Sequence, residues 1–311
     1  MCVSCFTQNF WNLLVLGLAD GFLYALIAIG YTLVYGVLQL INFAHSEVFM
    51  SGGFAGYFIL NAVIGTSSPG GVVSVGLVVL GIAGGAMAGG GVAFLLERVA
   101  YRPLRRRHAP RLAFLISAIG ASFFLYNMAG KEFGRDAVEI PAPFTSGPVF
   151  SVFGAPVTTY YLVIAISAIT MLIFLDRVVA GSKLGKGIRA VAQDAETASL
   201  MGVNIDRVIS QTFVLGGLLG GAAGFLFGLN TGVVYTMGFT PALKAFTAAV
   251  LGGIGNIRGA MLGGLLLGVV ENFGAGLFGT QWRDVVSFGI LVLVLLVRPT
   301  GLLGERLGRS A

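Results

Sequence analysis

Eight long apolar stretches divide the chain, near residues 11–36, 41–60, 71–96, 112–130, 158–176, 208–228, 259–279 and 284–298. A ninth, 243–257, is shorter. A helix needs about 20 apolar residues to cross the hydrocarbon core of a bilayer, so each of the eight predicts a transmembrane helix. The polar remainder is longest between the fifth and sixth stretches, where Lys183–Arg207 carries a helical rhythm of its own. Leu184, Ile188, Val191, Ala195 and Ala198 recur at steps of four and three, while Lys186, Arg189, Gln193 and Glu196 step in the same way around another face. That is the pattern of an amphipathic helix. Connections between packed helices usually take about 2 to 8 residues, so 25 patterned residues predict a docking surface for a partner rather than a plain chain reversal.

Composition agrees with the pattern: 56% of residues are hydrophobic and 10% charged. The expected fold is therefore all-α, a polytopic transmembrane helix bundle of about 8–9 spans forming one transmembrane domain over 1–311. Charge sets its orientation, because basic residues concentrate in cytoplasmic loops. Arg98, Arg102, Arg105, Arg106, Arg107 and Arg111 place the loop at about 97–111 inside. Alternation then puts about 131–157 outside in the periplasm, about 177–207 inside, the N-terminus outside and the C-terminus inside, with 15 of the 19 Lys and Arg inside. Lys131, Arg135, Lys244 and Arg283 are left on the other side. Termini on opposite sides require an odd number of crossings, so 243–257 is expected to cross as a short or broken helix. The net charge of +6 lies between spans without interleaved aromatics, which excludes a nucleic-acid surface. No basic residue precedes the first stretch and no short apolar core leads to a cleavage motif, so that stretch reads as a retained span. Cys2 and Cys5 form a lone CxxC near the N-terminus and read as incidental thiols.

Glycine supplies the next signal, since small residues let membrane helices approach closely. Gly216, Gly220, Gly224 and Gly228 form one four-residue ladder with Gly217 and Gly221 beside it; Gly81, Gly85 and Gly89 form a second, and Gly255, Gly259 and Gly263 a third. They predict a compact bundle, a dimer interface, or both. Polar groups at membrane depth cost at least about 2.5–3.5 kcal/mol for an ionised side chain and so need a reason. Asp20, Asn42, His45, Glu47, Glu271 and Asn272 are such groups. Asn42, His45 and Glu47 either begin a helix, with Asn42 capping it and Glu47 near its positive end, or line a translocation pathway. Glu271 and Asn272, deep in an apolar span, either pair with another helix or face an aqueous cavity.

Catalytic and metal chemistry have little to build on. Two histidines, one in the arginine loop, assemble neither a Ser-His-Asp set nor a metal site. Gly181-Ser182-Lys183-Leu184-Gly185-Lys186-Gly187 lacks the spacing and the Ser or Thr of a phosphate-binding loop, so ATP, if it drives transport, is hydrolysed by another polypeptide. No cofactor is expected.

The run Tyr24-Ala25-Leu26-Ile27-Ala28-Ile29-Gly30-Tyr31-Thr32-Leu33-Val34-Tyr35-Gly36, followed by Ile41-Asn42-Phe43-Ala44-His45-Ser46-Glu47, resembles the branched-chain amino acid ABC importer permeases. So do Ile188-Arg189-Ala190-Val191-Ala192-Gln193-Asp194-Ala195-Glu196-Thr197-Ala198, Leu200-Met201-Gly202-Val203-Asn204, and the glycine-rich 251–264. The resemblance covers nearly the whole chain and is greatest to the shorter of the two permease subunits such importers use. It implies a second permease subunit, two cytoplasmic ATP-binding subunits, a periplasmic substrate-binding protein and surrounding membrane lipid as partners, in a bacterial inner membrane. It also implies ATPase contacts at Gly187, Arg189, Gln193, Asp194, Glu196 and Gly202, and a pathway to which Asn42, His45, Glu47, Glu271 and Asn272 contribute. Ser46 stands where the family usually has glycine, and Arg258 where proline is common. A permease for urea or short aliphatic amides would share these features. A self-sufficient carrier would instead bind a coupling proton at Asp20, Glu47 or Glu271.

Overall fold

The computed structural model describes residues 3–40, 42–64, 71–144, 147–298 and 300–304, with side chains from Asn9 onward. Cys2, Arg306 and Arg309 lie outside the described residues, as does the side chain of Cys5. Helices α1 (Val3–Leu38), α2 (His45–Ile64), α3 (Val72–Leu96), α4 (Arg102–Arg106), α5 (Arg111–Glu132) and α6 (Thr159–Gly181) are followed by α7 (Lys183–Gln193) and α8 (Ala195–Leu200). Then come α9 (Ile205–Thr231), α10 (Phe239–Gly252), α11 (Ile257–Phe278) and α12 (Arg283–Val297). Among the described residues eight helical segments are long and apolar enough to cross a membrane, and α10, with 14 residues, is a shorter apolar helix. The expected helical membrane bundle is therefore the observed one. The chain forms two compact units, with boundaries inside α1, α6 and α10.

One unit comprises 33–145 and 171–242. Its centre is a seam of glycines where α2, α3 and α9 meet backbone to backbone. A Cβ at Gly52 would fall within the backbone of Gly221, one at Gly224 on the carbonyl of Phe49, and one at Gly89 2.5 Å from the Gly217 oxygen. Dispersion between closely approached backbones replaces the hydrophobic drive that lipid cannot supply. Two of the predicted ladders thus serve packing within the chain. The predicted loop 97–111 is largely helical: π-helical Glu97–Tyr101 and α4 continue α3 without a break as far as Arg106. The extra residue per π turn sends Glu97 inward, where it is fully buried, pairs with Arg105 at 2.9 Å and accepts a hydrogen bond from Ser210. Asp206, in the first turn of α9, holds Arg102, Arg105 and Arg106 at 3.1, 2.6 and 3.3 Å.

The other unit comprises 1–32, 146–170 and 243–311. Here Gly17 and Gly21 on α1 approach Val269 and Leu265 on α11 so closely that a Cβ on either would lie 2.7–2.8 Å from a Cα. Gly252 meets Gly259, and Gly263 meets Ala248, so α10 and α11 form an antiparallel hairpin. Gly255 departs from the predicted ladder: its φ of 98° and open surroundings make it a turn residue. With Gly253 (φ 105°) and the Asn256 side chain capping α11, it makes the break between α10 and α11 just ahead of Arg258. The last carbonyls of α10, Leu251 and Gly252, accept from the N–H groups of Leu302 and Leu303 at 2.8 and 2.9 Å, which satisfies acceptors that a helix end leaves without an intrahelical partner. A hairpin of β1 (Pro148–Val152) and β2 (Ala155–Thr158) lies in the span-free stretch before α6, an element that the apolar pattern does not foresee. Its turn is Phe153-Gly154, both at positive φ as a two-residue hairpin turn requires. The exposed Phe153 ring stacks on Trp11 at 4.4 Å.

Candidate functional site

Four helices of the second unit converge on one carboxylate. Glu271, on α11, is fully buried. Its Oε1 lies 2.8 Å from Lys244 Nζ on α10 and accepts from the Tyr24 hydroxyl of α1 at 3.3 Å, while Oε2 accepts from Ser287 on α12 at 2.9 Å. Arg283 Nε stands 3.2 Å from Oε1 as an ion pair without hydrogen-bond alignment. The same guanidinium reaches Asp20 at 2.6 Å and Asn272 Oδ1 at 3.1 Å, and Asn272 donates to Asp20 at 3.0 Å and to the Gly268 carbonyl at 2.9 Å. Asp284 holds the other side of Lys244 at 2.8 Å. An isolated charge at this depth is expensive, and opposite charges with shared hydroxyls offset the loss of water. Glu271 and Asn272 are thus both paired with neighbouring helices.

Asp20, Glu271 and Asn272 of this network stand out in the sequence, whereas Asp284 and the two cations do not. Lys244, which the charge count leaves on the outer side, is 7% exposed, and with Arg283 it is a counterion within the bundle. The available signal was charge balance, since two carboxylates in apolar spans demand nearby cations.

Asn42, His45 and Glu47 come together in the first unit at the start of α2. Asn42 Oδ1 accepts from the Ala44 N–H at 3.1 Å and from the Tyr101 hydroxyl at 2.8 Å, and its carbonyl accepts from the His45 N–H at 3.2 Å. Glu47 accepts from Ser46 and Ser122, each at 2.9 Å. His45 is buried against Gly220, where a Cβ would lie 3.1 Å from Nε2. All three polar residues are buried; the Asn42 side chain closes a turn just ahead of α2, and Glu47 lies in the first turn of that helix. Ser46 does not prevent close packing here, because its carbonyl fills the space that a Cβ on Gly238 would need.

The Lys183–Arg207 pattern resolves into two helices rather than one. Ile188, Val191 and Ala198 are buried in a cluster with Val208 and Ile209, and Leu184 and Ala195 pack on its edge, so the predicted apolar face is the observed one. Ser182 caps α7, accepting from the Gly185 N–H at 3.0 Å. Asp194 ends α7 in an extended conformation and caps α8, accepting from the N–H groups of Glu196 and Thr197 and from the Thr197 hydroxyl. That hydroxyl, with the backbone donors, holds the Asp194 carboxyl below the ordinary carboxylate range. Gln193, Asp194, Glu196 and Gly202 are exposed, and Gly202 (φ 83°) turns the chain after α8. Gly187 is buried, 2.9 Å from Val208 as measured from a Cβ position, so it makes room within the chain. Arg189 donates to the carbonyls of Val179 and Ala180, closing the end of α6. The feature that pattern reading passed over is Leu200-Met201, two apolar side chains 83% and 81% exposed at the tip of an otherwise polar segment.

The family model described as "Branched-chain amino acid transport system / permease component" matches residues 13–295. This chain belongs to that permease family. The high-affinity branched-chain amino acid transport system permease protein LivH of Escherichia coli (strain K12) is 44% identical over 304 residues, covering 96% of each chain. BraD of Pseudomonas aeruginosa, a permease protein with the same description, is 46% identical over 300 residues, 94% of this chain and 95% of BraD. A probable branched-chain amino acid transport permease protein LivH of Methanocaldococcus jannaschii is 26% identical over 297 residues, 91% of this chain and 89% of that one. As a permease component the chain is a multi-pass membrane protein that works with other subunits of a transport system. The family match spans both the Glu271 network and the α7–α8 segment.

Proposed function

We propose that this chain is the shorter of two different permease subunits in an ATP-driven importer of leucine, isoleucine and valine. Its setting is a bacterial inner membrane, with the N-terminus outside and the C-terminus inside. The observation that carries the reading is 44–46% identity, over nearly full length, to permeases named for high-affinity branched-chain amino acid transport. Two cytoplasmic ATP-binding subunits drive the cycle and a periplasmic binding protein delivers the substrate. In this orientation α10 makes the ninth crossing. Its 14 residues span about 21 Å of a core about 30 Å thick, and the buried, irregular stretch around Val233 and Met237 supplies the remainder. Irregular backbone is tolerated at depth where protein covers it.

The α7–α8 segment receives an ATP-binding subunit. Gln193, Asp194, Glu196 and Gly202 touch it directly; Gly187 and Arg189 hold the segment to the rest of the chain. Asn42, His45, Glu47, Glu271 and Asn272 are the polar groups assigned to the translocation pathway. A zwitterionic substrate needs both charges neutralised throughout its passage, and a pair such as Lys244 and Glu271 presents both signs at one place. Closure of the ATP-binding subunits would shift the equilibrium between inward and outward states through the rigid α7–α8 lever.

Leucine uptake into proteoliposomes tests the reading, with this chain first by itself and then with the second permease, the ATP-binding subunits and the binding protein, and with urea as competitor. ATP-dependent uptake in the full set, insensitive to urea, is the expected result. Competition by urea would move the substrate to amides, and uptake by the chain by itself would make it a self-sufficient carrier.

A further inference from the structure

The end of α3 and the arginine-rich extension beyond it carry a charge pattern that the transport reading does not use. Arg98, Arg102, Pro103, Arg106 and Arg107 line an open cleft of about 360 Å³. Arg102 and Arg106 are partly neutralised by Asp206, whereas Arg98 and Arg107 form no ion pair among the described residues. Four guanidinium groups around one cleft, with a single carboxylate among them, suit a ligand carrying a phosphate. Their planar donors match phosphate oxygens.

What favours a lipid is the surface that leads to the cleft. Val73, Leu80, Met87 and Phe94 recur every seven residues along α3 and are 58%, 44%, 68% and 42% exposed. Residues at that spacing share one face of a helix. Arg98, Arg102 and Arg106 continue from Phe94 at steps of four, and the π turn that carries Glu97 into the interior leaves Arg98 outside. The stripe is about as long as the whole hydrocarbon core, roughly 31 Å at 1.5 Å per residue; its end next to the cleft, Met87 to Phe94, offers a surface for acyl chains that leads to a headgroup site among the arginines. Basic pockets at the cytoplasmic ends of membrane helices bind anionic headgroups. We propose that this cleft binds the headgroup of an anionic phospholipid of the cytoplasmic leaflet, with the acyl chains lying on the Met87–Phe94 part of the stripe. The leaflet assignment rests on the orientation proposed above; the binding itself does not.

The test is lipid retention by native mass spectrometry on the assembled transporter in neutral detergent, offered phosphatidylglycerol or phosphatidylcholine of equal chain length. Phosphatidylglycerol is expected to be retained in preference. Arg98→Gln with Arg107→Gln, which leaves the contacts of Asp206 and Glu97 in place, is expected to weaken its retention roughly tenfold or more. An unchanged thermal midpoint in that variant would keep the loss separate from misfolding. Equal retention of the two lipids, or full retention by the variant, would overturn the proposal. So would displacement of phosphatidylglycerol by an equal concentration of inorganic phosphate, which would identify a soluble-anion site. Because detergent removes sidedness, failure here is distinct from an error in orientation, which thiol labelling of Arg107→Cys in sealed vesicles reports.

Discussion

Glu271 is fully buried and held by groups that lie 247, 27 and 16 residues away in the chain. The acid itself was legible, because a carboxylate in an apolar run violates the cost of placing charge in hydrocarbon. Its partners were not, because Lys244 sits in the shortest apolar block and Arg283 between two blocks, where positive residues ordinarily flank spans. Removing one member of such a pair leaves a buried charge uncompensated, so Lys244→Met should cost about 3 kcal/mol. Lys244→Met combined with Glu271→Met should recover most of it, since replacing both ions with apolar groups is often neutral. Thermal unfolding of the two variants in detergent checks this; a double variant less stable than the single one would show that Glu271 is held mainly by Arg283, Tyr24 and Ser287.

Elements show where pattern was enough and where it misled. The apolar face of Lys183–Arg207 was read correctly from its 3.6-residue period, but the break at Asp194 depends on a local competition that periodicity does not report. The Asp194 side chain offers its own acceptors to the next turn and so ends one helix while starting another. Its carboxyl is held low by those donors, so the cap is fully formed above the ordinary carboxylate range and is lost as pH falls through the lowered value. Protection of the amides over 195–201, taken relative to their intrinsic exchange rate at each pH, should therefore fall on acidification in the native chain. In Asp194→Asn, which keeps an acceptor, that protection should be nearly independent of pH, and in Asp194→Ala it should be low throughout. The glycine seam gives a contrast of sign. Gly221→Ala would drive a methyl into the Gly85 backbone and should destabilise by at least about 1–3 kcal/mol. Gly91→Ala, on α3 with open space around it, should be neutral or stabilise by up to about 1 kcal/mol. Thermal midpoints of the two variants decide whether the close approach or the helix propensity governs.

At the scale of the whole molecule, the exposed Leu200 and Met201 are the prediction of widest reach. Apolar side chains exposed at the tip of a polar segment signal a surface that another protein covers. Leu200→Asp with Met201→Asp should abolish co-purification of the ATP-binding subunits and leave membrane insertion and thermal stability unchanged. Charge reversal of Asp194 or Glu196 should lower ATP-dependent uptake in the same way. Retained co-purification in all of these variants would remove the docking assignment of the α7–α8 segment.

Apolar block length, glycine spacing and the family motifs were enough to determine a helical membrane permease, its eight long spans and its amphipathic segment, because each depends on neighbours within a few turns of helix. What required tertiary structure was everything that joins distant residues. The cations of Glu271, the capture of arginines by Asp206 and the capping of α10 by 302–303 are of this kind. A charge in hydrocarbon declares its need for a partner locally, but the partner is supplied by whichever helix packs beside it, and packing is decided by the fold.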